Sequence, residues 1–274
     1  MRRAAALAAF ITALPCGTAA RAGEITYSAV TQRVVRDPLG RETTVEFRQR
    51  VHARPEALRT ENLGSGKVTI VLLGERRMIE LDPKEKAFRT ISFERLRRSV
   101  DAHLKLLEAR LRDRRRRLSR SQRSRILGIL GRRRVRVQVD RSKETVELLE
   151  RACTKVTYRE DGIIRIEEWV TEEVERCVDL TPLLEITGEF SKELLAAKHR
   201  QKGFALKSVV HGRLAISPLK TTNIVESLDV RPLDDALFKV PEGYRDLDAE
   251  PPGEAGGGED PAPGPAEPEP GLDG

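Results

Sequence analysis

Alternating hydrophobic and polar residues recur through much of the chain, and this pattern predicts a sheet of antiparallel strands. The alternation is clearest over residues 43–53, where Val45 and Phe47 share one face and charged residues occupy the other. The short loops at residues 64–66 and 161–162 are suited to hairpins, so strands that are neighbours in sequence should pair in one sheet. The predicted strands cover residues 24–36, 43–53, 68–73, 78–81, 87–91, 135–140, 153–159, 163–170, 204–210 and 224–230.

Two stretches instead show the helical spacing of three or four residues between apolar positions. Ser92 is suited to cap the first helix, and a short second helix over residues 123–130 follows it, which gives a predicted helical insertion over residues 93–131. The dipeptide Thr181-Pro182 begins the other stretch, because proline fits the first helical position. The apolar stripe of the insertion is Val100, Leu104, Leu107, Leu111 and Leu118. That of the later helix is Leu183, Ile186, Phe190, Leu194 and Ala197.

The N-terminal residues have the layout of a secretory signal peptide. Arg2 and Arg3 give a positive start, residues 4–14 form an apolar run, and Ala20 and Ala22 are the small residues that a signal peptidase requires. The run is shorter than the ~20 residues that a membrane-spanning helix needs. We therefore expect a signal peptide over residues 1–22, no transmembrane segment in the mature chain, and a periplasmic or secreted protein.

The mature chain divides by composition into a folded part and a tail. Residues 23–245 contain all the predicted strands and helices and are expected to form a single domain. Residues 246–274 are rich in proline, glycine and acidic side chains with almost nothing to bury, which predicts a disordered tail. Arginines are concentrated between Arg95 and Arg136, so one protein holds a basic and an acidic block.

The basic block has three interpretations. The first is a helix face that is solvated or is neutralised by the protein's own acidic tail. The second is a surface that contacts anionic lipid or lipopolysaccharide headgroups. The third is a nucleic-acid-binding segment. Nucleic acid is not expected, because the block lacks interleaved aromatic residues and an exported protein meets little of it. The candidate contacts for an anionic surface are Arg110, Arg112, Arg114, Arg115, Arg116 and Arg117.

Two cysteines, Cys153 and Cys177, remain after signal removal. In an oxidising compartment such an even pair is a disulfide candidate, and the alternative is two separately buried thiols. Their spacing fits no zinc-binding pattern.

No other motif predicts a reaction. The sequence Gly64-Ser65-Gly66-Lys67 resembles part of a phosphate-binding loop, but the earlier glycine and the hydroxyl residue after lysine are missing, so a hairpin turn is predicted. Glu167 and Glu168 should point to opposite faces of a strand and cannot act as an acid/base pair. The four histidines share no ligand pattern, and no Gly-x-Ser-x-Gly motif is present. We therefore expect no catalytic residue, metal or cofactor, and a protein that is not an enzyme.

Four phrases of the sequence resemble an exported bacterial family, the domain of unknown function 4412 family, which is similar in shape to the LolA and LolB lipoprotein carriers. They cover residues 78–88, 153–158, 168–171 and 237–244, and the resemblance as a whole covers residues 24–244. It implies an α+β fold with a strongly curved antiparallel sheet, a half-open barrel, covered by helices. It implies no enzyme activity. The arginine density of the insertion departs from the family pattern.

Three functions compete. The leading hypothesis is a periplasmic binding or carrier module that shelters an apolar or lipid ligand between sheet and helices. The alternative is a non-enzymatic envelope interaction or structural protein that uses the arginine-rich helix and the acidic tail, and the third is a hydrolase with a dispersed site. The first predicts a dry cavity between sheet and helices, whereas the second predicts a filled core. The residues expected to face an apolar ligand are Val45, Phe47, Ile70 and Leu72.

Overall fold

The computed structural model describes residues 23–36, 41–113, 135–160, 164–188, 190–214 and 217–249. In these ranges the helices are α1 (Phe93–Asp113), α2 (Thr181–Thr187) and α3 (Lys192–His199), with a short 3-10 helix (Asp235–Phe238). The strands are β1 (Ile25–Arg36), β2 (Glu42–Arg54), β3 (Ala57–Asn62), β4 (Val68–Leu72), β5 (Arg77–Asp82), β6 (Ala87–Ser92), β7 (Val137–Leu148), β8 (Arg151–Glu160), β9 (Ile164–Thr171), β10 (Phe204–Leu214), β11 (Ser217–Val230) and β12 (Arg245–Asp246).

All these strands belong to one sheet in the order β12-β6-β5-β4-β3-β2-β1-β11-β10-β9-β8-β7. Every described pairing is antiparallel except that of β12 with β6. Strands β1–β6 form one meander and β7–β11 another, and β1 joins them by pairing with both β2 and β11. The prediction that residues 135–140 and 153–170 share a sheet with the N-terminal strands is confirmed for residues 137–140, 153–160 and 164–170. The fold is α+β, with a curved and unclosed sheet.

Each face of the sheet carries its own hydrophobic core. On the inner face, Val51, Tyr158 and Ile166 pack with the leucines of α2 and α3. On the opposite, outer face, Ile70, Leu72 and Leu81 of the first meander pack against Phe238 and its neighbours in the segment that follows β11. The inner core is therefore closed by helices, whereas part of the outer face is closed by the C-terminal segment.

The sequence-based strands 24–36, 43–53 and 204–210 are confirmed, whereas β7 and β11 are longer than predicted and three further features differ. Strand β3 was not predicted, because its sequence Ala-Leu-Arg-Thr-Glu-Asn has only two apolar residues. The helix from Thr181 is two helices, because Gly188 takes a left-handed conformation after α2. The fold also extends beyond residue 245, since Leu247 N–H donates to the Phe88 carbonyl. The predicted helix over residues 123–130 lies outside the described residues.

Candidate functional site

The space between the inner face and the helices is filled with side chains. Leu183 and Leu194 contribute from the helices and Tyr27 and Val156 from the sheet, and all four are almost completely buried. Beside Cys177, a cavity of about 10 Å³ remains, which is room for about one water molecule. Pockets for small-molecule ligands have volumes of about 300–1,000 Å³. This part of the inner face therefore has the filled core that the interaction hypothesis predicts.

The four residues expected to face an apolar ligand do not line a common cavity. Val45 and Phe47 lie on the inner face of β2 near the start of the strand, where the side chains are largely exposed and Val45 is 44% exposed. Ile70 and Leu72 are buried on the outer face of β4. The register explains this difference, because Val51 pairs with Thr60 and Thr60 with Thr69, so the even-numbered residues of β4 point to the outer face. The expectation of one shared apolar wall is wrong.

A surface depression of about 280 Å³ borders Leu72 on the outer face. Its wall consists of the β2–β3 turn, with Arg54 and Glu56, and the β4–β5 turn, with Gly74 and Glu75. Two of these residues are acidic and one is basic, so the depression has no strong charge preference. It does not provide the deep, mostly apolar lining that is typical of lipid-carrier pockets.

A buried ion pair fixes α3 to the sheet. The ammonium of Lys198 donates a hydrogen bond of 2.5 Å to Oε1 of Glu168 on β9, and the two side chains are 2% and 3% exposed. The same ammonium lies 5.8 Å from the centre of the Tyr158 ring. Glu167, the preceding residue, pairs instead with Lys155 and is on the outer face. The prediction that the two glutamates point to opposite faces is therefore confirmed.

Cys153 and Cys177 are both buried and are free thiols in this structure. Burial raises the pKa of the Cys153 thiol and raises that of Cys177 to about 12. Both groups are therefore protonated and unreactive near neutral pH. The disulfide expected from their number is not formed here, and the pairing stays a prediction.

The first turns of α1 direct apolar side chains to the core and arginines to solvent. Ser92 Oγ accepts a hydrogen bond of 3.1 Å from Arg95 N–H, so Ser92 caps the helix as predicted. Phe93 is 2% exposed and Leu96 packs against the inner core, while Arg97 and its neighbour at position 98 are exposed. Helix α1 also packs against α2. The exposed arginines at the start of α1 thus lie on the inner-face side of the sheet.

The predicted contact residues fall at the end of this helix and beyond it. Arg110 and Arg112 belong to the last turns of α1. Arg114–117 lie outside the described residues. Of the six predicted contact residues, the structure therefore describes the backbone of Arg110 and Arg112 alone.

Sequence reasoning missed an acidic contact at the start of this basic surface. Asp248 Oδ1 lies 3.3 Å from an Arg95 guanidinium nitrogen and 3.7 Å from Arg89 Nε, and its Oδ2 accepts a hydrogen bond of 3.1 Å from Thr90 N–H. Composition alone places Asp248 in the tail, because it stands among prolines, glycines and acids. The sequence gives no signal for this contact, because the β12–β6 pairing that carries the chain alongside β6 is seen only in the structure.

Neither a metal site nor a membrane-spanning helix is found in the part of the chain that the structure describes. No three histidine, cysteine, aspartate or glutamate side chains there are grouped so that they could hold an ion. No helix in the same ranges is both long and apolar enough to cross a bilayer.

The comparisons with known proteins give no family. No family model and no curated protein matches the chain. Among solved structures it is similar to an uncharacterized conserved protein from Thermus thermophilus, with 11% identity, a TM-score of 0.42 and coverage of 83% of this chain and 91% of the other. It is also similar to MucB (11% identity, TM-score 0.36, coverage 79% and 57%). A protein of the domain of unknown function 1329 family from Desulfovibrio piger has 12% identity, a TM-score of 0.30 and coverage of 80% and 90%.

All three TM-scores are below 0.5, so these likenesses assign neither a family nor a function. The resemblance to the domain of unknown function 4412 family and to the LolA shape stays a prediction.

Proposed function

We propose that this chain is a non-enzymatic interaction module of the cell envelope, which is exported and binds anionic lipid or lipopolysaccharide headgroups through its arginine-rich segment. The observation that carries the proposal is the mounting of α1, whose Phe93 and Leu96 are held in the inner core while Arg97 and its neighbours are exposed. A helix anchored in this way presents charge without inserting into a bilayer.

The charge of the segment increases along the chain. Residues 114–134 contain ten arginines and no acidic residue. Each arginine near an anionic membrane contributes about 1 kcal/mol to binding, and the attraction is screened beyond a Debye length of about 8 Å at physiological salt. The contact residues we propose are Arg110, Arg112, Arg114, Arg115, Arg116 and Arg117.

We expect the acidic tail to compete for these arginines. Residues 250–274 contain seven acidic residues and no lysine or arginine. The contacts of Asp248 with Arg95 and Arg89 start the tail beside the first turn of α1. Helix α1 has 21 residues and is about 30 Å long.

The filled inner face argues against the carrier hypothesis, in which an apolar ligand is sheltered between the curved sheet and the helices. A carrier of apolar ligands would need α2 and α3 to leave the sheet, which would expose the Lys198–Glu168 pair and its surrounding leucines. The open surface of α1 requires no such opening.

The test is co-sedimentation with vesicles of phosphatidylcholine, with and without phosphatidylglycerol, at low and high salt. We expect the full chain to bind only the anionic vesicles and to be released by salt, and deletion of residues 250–274 to strengthen binding. A variant with the six proposed arginines changed to glutamine should lose most of its binding. The matched control changes six exposed arginines that lie outside α1, the tail contact and the basic surface of β8–β10: Arg41, Arg48, Arg50, Arg141, Arg200 and Arg231. Binding that ignores lipid charge and salt, or that is lost equally in the control, would refute the proposal.

A further inference from the structure

A second basic surface lies on the outer face of the sheet, on β8, β9 and β10. Trp169, the single tryptophan of the chain, stands in its middle. Its direct cross-strand partners are Lys155 on β8 and Lys207 on β10. Their ammonium nitrogens lie 5.0 and 4.7 Å from the centre of the indole ring. We refer to Lys155, Trp169 and Lys207 as the lysine–tryptophan clamp.

The charge around the clamp is only partly compensated. Glu167 accepts hydrogen bonds from Lys155 at 2.8 Å and from Arg165 at 2.5 Å. Burial opposes the charge of this carboxylate, but these hydrogen bonds outweigh it and lower the pKa of Glu167. Around Lys207, no carboxylate of the described residues lies within ion-pairing distance. With exposed Lys220 nearby in the sheet register, four permanent cations face one carboxylate.

We propose that the clamp binds the phosphate groups of an anionic lipid surface. Cation–π contact holds both ammonium groups in place, so less side-chain entropy is lost when they bind a phosphate. An indole ring has an apolar body and a polar N–H, which suits the headgroup region of a bilayer. The surface is accessible, since Lys155 and Arg165 are 34% and 52% exposed and the described helices pack on the other face.

The clamp and α1 are on opposite sides of the sheet. Glu168 points to the inner face, where Lys198 of α3 binds it, so its neighbour Trp169 points away from the helices. A molecule with an anion-binding surface on each side holds two anionic surfaces together. This bridging step rests on the proposed function of α1, whereas the clamp does not.

Trp169 is its own reporter, because no other tryptophan contributes to the fluorescence of the protein. Vesicles of phosphatidylcholine with phosphatidylglycerol are titrated into the full-length protein at low salt, and tryptophan emission, co-sedimentation and turbidity are recorded. We expect the emission to change with anionic vesicles and not with phosphatidylcholine alone. A change with both vesicles, or with neither, would overturn the clamp. An equal change with inorganic phosphate at the same phosphate concentration would overturn the lipid surface as its ligand.

The clamp variant is Lys155→Gln with Lys207→Gln, and its matched control is Lys67→Gln with Lys84→Gln, two exposed lysines on turns of the first meander. From the titration midpoint of the emission we expect roughly 30-fold weaker binding for the clamp variant and little change for the control. Equal midpoints in the two variants would overturn the clamp.

Turbidity separates the two surfaces. Wild-type protein should cluster anionic vesicles, and the clamp variant should co-sediment through α1 without clustering them. The variant with the six α1-segment arginines changed to glutamine should keep the Trp169 response and also lose clustering. If that variant still clusters vesicles, the bridging step and the function proposed for α1 fail together, while the Trp169 response decides the clamp by itself.

Discussion

Replacement of Lys198 by methionine should cost the protein a large part of its stability. The side chains of Lys198 and Glu168 are 2% and 3% exposed, so the variant leaves a carboxylate buried without its cation. Breaking a buried ion pair in this way costs about 3–5 kcal/mol, against a total stability of about 5–15 kcal/mol for a folded domain. We expect a loss of about 4 kcal/mol, near the middle of the range for a broken buried ion pair. The Glu168 Oε2 atom has no hydrogen-bond partner among the described residues, so no second contact there compensates for the loss of Lys198.

The same reasoning predicts that removing both charges restores most of the loss. Lys198→Met combined with Glu168→Leu keeps the volume and needs no desolvated charge, so it should be within about 1 kcal/mol of wild type or more stable. The free energy of unfolding is measured in urea by circular dichroism at neutral pH, with the slope checked for constancy.

Lys155→Met is the matched control, since it breaks a 2.8 Å pair with Glu167 that is partly exposed. It should cost less than about 1 kcal/mol. The interpretation would be refuted if Lys198→Met were as stable as this control. It would also be refuted if the double variant lost as much unfolding free energy as Lys198→Met alone.

Three further outcomes are expected. Gly203 has φ of 87°, and a Cβ there would lie 2.3 Å from the Thr171 carbonyl oxygen, so Gly203→Ala should cost about 3 kcal/mol. Gly66→Ala, with a similar φ of 74° but open space, should cost about 1 kcal/mol, and thermal or urea unfolding compares them. Because the pKa of Glu167 is lowered in the folded protein, its ionised carboxylate stabilises the fold fully above the ordinary carboxyl pKa of about 4.3, and this contribution disappears as the pH falls through the folded pKa. The Glu167→Gln variant should therefore lose less stability in acid than wild type. An identical dependence of unfolding free energy on pH in the two proteins would contradict this. A thiol reagent at mildly alkaline pH should leave the native mature chain, residues 23–274, unlabelled, because burial raises the pKa of Cys177 to about 12. Labelling after unfolding without reductant then decides the predicted pairing of Cys153 with Cys177: no labelled thiol would establish the disulfide, and two labelled thiols would refute it.

The sequence was sufficient for most of the strands but not for their faces. Alternation located β1 and β2, and the turn residues located the β8–β9 hairpin. Whether a residue of β4 shares a face with a residue of β2 depends on the exact strand pairing between them, which runs through β3. Strand β3 was not predicted, because its sequence is mostly polar. One extra strand with its turns was enough to place Ile70 on the face opposite Phe47.

The clamp could not be found from sequence for a related reason. Lys155, Trp169 and Lys207 become neighbours only through the register of three strands. That register contains a bulge between Ala205 and Lys207, which shifts the facing of β10 by one residue. Bulges leave no reliable mark in an alternating pattern, so the contacts of a residue beyond one are known only from the structure.

The position of β1 has a consequence for the order in which the protein can fold. This strand lies at the middle of the sheet, and it is paired on one side with β2, its neighbour in sequence, and on the other with β11, which ends at Val230. Each meander can form from local hairpins, but the seam between them needs residues from nearly opposite ends of the chain. A chain that crosses a membrane from its N-terminus therefore waits with a half-paired central strand until almost all of it has emerged. On the export route that the N-terminal residues predict, the complete sheet would form only when translocation is nearly finished.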